Sequence, residues 1–63
     1  MRQEPQVEIA CEVRAQTEKA LLIFDGKQEV WIPKSQITDE SETRGRITSI
    51  FISEWLANKK GLI

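Results

Sequence analysis

The chain is predicted to form a small, mostly β (α+β) fold: a strongly curved antiparallel sheet of four to five strands with a short C-terminal helix on one open side. Three observations carry this expectation. Val7, Ile9, Cys11, Val13 and Ala15 alternate with largely polar residues, which is the period of a half-buried strand. Asp25-Gly26 separates the apolar run Ala20–Phe24 from Glu29-Val30-Trp31-Ile32; this is hairpin chemistry, because glycine reaches the positive φ that such turns require. Ser53-Glu54 precedes Trp55-Leu56-Ala57-Asn58-Lys59-Lys60-Gly61, combining an N-cap, a first-turn acid, last-turn bases and a left-handed stop. An SH3-like or OB-like half-barrel is the nearest description.

Taken in order, residues 1–6 are polar and read as a frayed lead-in. The first strand is about ten residues long by its alternation, with Glu8, Glu12, Arg14 and Gln16 on the face away from Val7. A bend at Ala10 or Cys11 would split it and raise the strand count from four to five. Thr17-Glu18-Lys19 turns the chain into Ala20–Phe24, a strand apolar on both faces. Two hairpin registers fit the next pair. A tight loop pairs Leu21 with Val30, whereas a loop from Asp25 to Gln28 pairs Ile23 with Val30 and Leu22 with Trp31. Both place Leu21, Ile23, Val30 and Ile32 on one face, since a shift by two keeps the alternation.

Pro33 lacks a donor and ends that ladder or lies at an edge, and Lys34-Ser35-Gln36 turns the chain. Residues 38–46 contain no apolar side chain and read as an exposed acidic and polar loop. Ile47 to Ile52 is the last strand, with Ile50 and Ile52 on one face and Ser49 and Phe51 on the other.

Sixty-three residues make one small domain, 1–63. A core of that size seldom supplies more than about 3–5 kcal/mol without a staple, a metal or a partner subunit. Cys11 is the single cysteine and histidine is absent, so no internal disulfide or metal cluster is expected, and no cofactor. Self-association is one remaining source of stability. Nine basic against ten acidic residues lack the basic excess of a duplex-coating protein. The absence of a membrane-length apolar stretch and of an export signal predicts no membrane partner. Together with the lone thiol, it leads to a cytoplasmic location as the expectation.

Catalysis is not expected, because a histidine-free chain lacks the commonest proton carrier near neutral pH. Cys11 sits on the apolar face of its strand, where a thiol acts as a small hydrophobe. Asp39, Glu40 and Glu42 could hold a divalent cation, but solvated carboxylates on a loop are the favoured reading. Binding is the class left standing. Trp31 faces away from Val30 and Ile32, together with Leu22 and Ala20. The default expectation packs Trp31 with Trp55 beneath the helix. If the helix lies on the opposite face, Trp31 becomes the contact residue, flanked by Lys34, Lys27, Lys19 and Arg14. An aromatic side chain with cations on a curved sheet suits single-stranded nucleic acid.

Lys19 to Gly26, Glu29 to Ile37 and the ending Ile52-Ser53-Glu54-Trp55-Leu56-Ala57-Asn58-Lys59-Lys60-Gly61-Leu62-Ile63 resemble a group of short uncharacterised proteins of bacteria and their phages. The resemblance spans roughly two thirds of the chain, and Ser53 stands where that group commonly has proline. It implies no established activity, only a setting of DNA metabolism or interference with a host system. The expected function is therefore a non-catalytic binding module for single-stranded nucleic acid or a nucleoprotein assembly. The alternative is a protein–protein module, such as a phage-encoded regulator or inhibitor of a host nucleic-acid enzyme, with Asp39, Glu40 and Glu42 as its partner contacts.

Overall fold

A computed structural model describes residues 5–63. Their order is β1 (Gln6–Ala10), β2 (Glu12–Gln16), β3 (Ala20–Phe24), β4 (Glu29–Pro33), a single 3₁₀ turn (Lys34–Gln36), β5 (Asp39–Thr43), β6 (Arg46–Ser53) and α1 (Glu54–Lys59). The strands form two antiparallel sheets, ordered β1-β6-β5 and β2-β3-β4. The mostly β class and the C-terminal helix are thus as expected, but the described residues form six strands rather than four or five.

The long first strand does break at Cys11, and its halves serve different sheets: β1 pairs with β6, and β2 with β3. The Cys11 N–H is kept in use at the bend, donating to the Thr48 carbonyl at 3.0 Å. Two bulges sharpen the curvature. In β2, Val13 pairs with Ile23 and Ala15 with Leu22, leaving Arg14 as the extra residue. Each bulge shifts the alternation by one. Ala15 therefore leaves the face of Val7, Ile9, Cys11 and Val13, contrary to the simple pattern, and is exposed. In β6 the step from Ser49 to Ile47 opposite Ser41 and Glu42 skips Thr48, which returns Ile47 to the face of Ile50.

The β3–β4 hairpin takes the longer loop. Leu22 pairs with Trp31 and Ile23 with Val30. Asp25 sets this loop locally, its Oδ1 accepting the Lys27 and Gln28 N–H groups at 2.8 and 2.9 Å. Those two bonds, the one from Gln28 being the stronger influence, hold the Asp25 carboxyl below its ordinary pKa. A carboxyl depressed in the folded state stabilises it above the unfolded pKa and loses that contribution as pH falls through the folded value. Acidification below about pH 4 is therefore expected to loosen this loop. An NMR titration would show Asp25 titrating below the ordinary aspartate value; a normal value would count against the turn.

The supposed loop at residues 38–46 is a hairpin. Asp39–Thr43 is an edge strand on β6, and Arg44 and Gly45, with φ of 55° and 80°, make a tight turn between Thr43 and Arg46. Positive φ at both central residues is the hairpin-matched turn whose usual first residue is Asn. Arg44 is strained there, so Arg44→Asn is expected to raise stability by about 0.5–1 kcal/mol, read as a higher urea midpoint. An unchanged midpoint would show that the strain is absent.

The core lies between the sheets: Ile9, Leu21, Ile23, Ile32, Ile50, Ile52, Leu56 and Ala57 are buried. The helix closes one end of this space. Ser53 Oγ accepts the Leu56 N–H at 3.2 Å, and Leu62 N–H to Ala57 carbonyl (2.8 Å) with Gly61 N–H to Asn58 carbonyl (3.1 Å) completes the left-handed stop. Gln28 Nε2 ties the turn after β3 to this end by donating to the Lys60 and Gly61 carbonyls. The frayed lead-in is also revised in part. Gln6 pairs with Ser53, and the Pro5 carbonyl accepts the Glu54 N–H at 2.9 Å; the remainder of that stretch, residues 1–4, lies outside the described residues.

Candidate functional site

The outer face of β2-β3-β4 is the surface on which the site residues can be judged. Directly opposed residues in an antiparallel pair share a face. Leu22 opposes both Ala15 and Trp31, Phe24 opposes Glu12 and Glu29, and Ala20 opposes Pro33. Trp31 thus stands among Ala15, Ala20, Leu22, Phe24 and Pro33, with Glu12 and Glu29 at one end.

Helix α1 does not cover this face. It packs on β1 and β6 and sends Leu56 and Ala57 into the core cluster that also takes Ile23 and Ile32, which lie on the side of their sheet opposite to Trp31. The default packing of Trp31 against Trp55 is therefore wrong. Trp31 remains 45% exposed and Trp55 63%; the Lys59 ammonium stacks 4.9 Å from the Trp55 ring. A helix this short has one buried stripe, and Leu56-Ala57 takes it.

The proposed cations are not gathered around Trp31. Arg14, displaced by the bulge, lies 4.5 Å over the Phe24 ring and 3.8 Å from a Glu12 oxygen, so it does share the face. Lys19 and Lys34 sit together at the β2–β3 end, the Lys34 N–H donating to the Lys19 carbonyl at 2.8 Å. The Lys34 ammonium turns toward Gln16 Oε1 at 3.3 Å, at the mouth between the sheets lined by Leu21, Ile37, Glu40 and Ile47. Lys27 is in the loop at the far end of β3, roughly 20 Å away at about 3.3 Å per residue.

The carboxylates are dispersed as well. Asp39 opposes Phe51 on the outer face of its sheet, whereas Glu40 opposes Ile50 and Glu42 opposes Ile47 on the inner side. Among the described residues no group of His, Cys, Asp and Glu is arranged to hold a metal ion. Burial pushes the Cys11 thiol up from its ordinary pKa, opposite to the shift that activates a nucleophilic cysteine. No helix among the described residues is long and apolar enough to cross a membrane.

Sequence reasoning found Trp31, Leu22 and Ala20 on one face but missed Phe24, Ala15 and Glu29. The parity of Phe24 with Leu22 was a usable signal; the exposure of Ala15 was not, because it depends on a bulge. Compared with protein-family models, curated proteins and solved structures, the chain matches none.

Proposed function

We propose that this chain is a non-catalytic protein-binding module that engages its partner through the outer face of β2-β3-β4, centred on Trp31. The two sheets, joined through the bent first strand, serve in this reading as an SH3- or OB-like half-barrel that holds the face rigid. The observation that carries it is a tryptophan left 45% exposed within a row of apolar side chains, on the side of the sheet away from the helix. An exposed apolar patch with a central aromatic and a polar rim is the usual make-up of an interface hot spot. The rim here is Glu12, Glu29 and Arg14.

Single-stranded nucleic acid draws on the same Trp31 and Arg14. It is the weaker reading, because Lys27 and Lys34 lie away from the face while Glu12 and Glu29 lie on it, where they repel phosphate. A regulator acting through Asp39, Glu40 and Glu42 is weaker still, since these divide between two faces of one strand.

A displayed random-peptide library selected on the wild type and counter-selected on Trp31→Ala tests the proposal. Enriched peptides should be apolar and should bind the wild type much more tightly. Oligothymidine should leave tryptophan fluorescence unchanged at low and high salt. A salt-dependent quench, or no peptide that distinguishes the two proteins, would overturn it.

A further inference from the structure

The hydrogen-bond phase of β4 is fixed by the bonds at the two ends of its hairpin. The Asp25 N–H donates to the Gln28 carbonyl at 3.2 Å, and the Lys34 N–H to the Lys19 carbonyl at 2.8 Å. Both pairs lie on the β3–β4 register. Bonded and non-bonded pairs alternate along an antiparallel ladder, so Ile23–Val30 and Leu21–Ile32 are bonded and Leu22–Trp31 is not. The N–H and carbonyl of Trp31 consequently point away from β3. Glu29 and Pro33 share that phase, which is why Pro33 is tolerated: it sits where β3 needs no donor.

Each sheet has two edge strands, β1 and β5 in one and β2 and β4 in the other. A two-fold axis at the centre of β1 or β2 would set Glu8 against Glu8 or Arg14 against Arg14. β5 and β4 differ in what they would do to a second copy of the chain. Two β5 strands related by a two-fold axis at Ser41 would set Glu40 against Glu42 of the other copy. Like charges directly opposite are destabilising and are a common guard on sheet edges. Two β4 strands related by a two-fold axis at Trp31 oppose Trp31 to Trp31, Val30 to Ile32 and Glu29 to Pro33. Glu29 is the strand's one charged residue, and it meets a proline.

We infer that β4 is the seam at which two copies of this chain join, antiparallel and centred on Trp31; the inference rests on the reading of the Trp31 face as a contact surface. Each Trp31 N–H meets the other copy's Trp31 carbonyl, and each Glu29 N–H meets the other copy's Pro33 carbonyl. Proline returns no donor, so the ladder stops there and the seam stays short. The two outer faces merge into one, with the Trp31 side chains adjacent, so that joining enlarges the binding surface instead of hiding it. The interface is isologous, as in most homodimers, and it adds to the modest stability that a core of this size supplies.

Sedimentation equilibrium and NMR amide exchange, from micromolar to millimolar chain, test this. The mass should climb from 7.3 kDa toward twice that value. Trp31 amide exchange should slow with concentration, while the Val30 and Ile32 amides, bonded to β3, stay protected throughout. Trp31→Pro removes the outward-facing ring together with a donor that β3 does not use, leaves the Val30 and Ile32 bonds to β3 in place, and should remain folded and monomeric. A mass that climbs with Trp31 exchange unchanged would place the seam elsewhere and overturn the inference, as would a chain monomeric throughout. The peptide counter-selection, run at dilutions where the chain is monomeric, reports on the contact face separately.

Discussion

Ile32→Ala is expected to leave the chain largely unfolded at room temperature. Ile32 is fully buried, opposes Leu21 across the hairpin and belongs to the single core cluster between the sheets. Truncating a buried isoleucine to alanine costs about 2–5 kcal/mol, from lost transfer free energy and the cavity left behind. The whole stability of so small a domain is of order 3–5 kcal/mol, so the cost is comparable to everything the fold has. Circular dichroism and urea titration at a concentration that keeps the chain monomeric give the readout. A cooperative transition with nearly the wild-type midpoint would mean that the core is not where it is described.

Trp31→Ala, one residue away on the same strand, should do the reverse. Its ring faces outward, so the stability change is limited to the cross-strand pair with Leu22, about 0.2–1 kcal/mol. Binding should suffer far more. A central aromatic anchor is worth about 2 kcal/mol or more, roughly a thirtyfold loss of affinity at 1.4 kcal/mol per tenfold. Calorimetry with a peptide selected on the wild type measures it. If Trp31→Ala unfolds the chain as Ile32→Ala does, Trp31 belongs to the core and the contact face is lost as an idea. If affinity is unchanged in a folded variant, the partner binds elsewhere.

The opposite outcomes expected for adjacent residues show how much was legible in the chain itself. The strand period of β4 assigns Ile32 and Trp31 to opposite faces before any contact is known, because successive strand side chains point opposite ways. Asp25-Gly26 and the Ser53 to Gly61 segment were legible for the same reason: turns and caps are made by residues within a few positions of one another. Residues 38–46 were misread because they carry no apolar side chain. β5 is a strand through its pairing with β6, and nothing in its own composition announces this. The gathering of Lys34, Lys27, Lys19 and Arg14 failed similarly, since nearness to Trp31 in sequence placed Lys27 and Lys34 at opposite ends of one hairpin.

By itself, then, the amino-acid sequence determined the mostly β class, the hairpin chemistry, the helix with its cap and stop, and the side of the strand on which Trp31 stands. These follow from interactions local along the chain. Tertiary structure alone decided which side the helix covers, where the bulges at Arg14 and Thr48 reset the alternation, and which strands become edges. Each depends on how distant segments fit round one core: Leu56 and Ala57 join the core cluster from the side of β1 and β6, and that choice leaves Trp31 open to solvent.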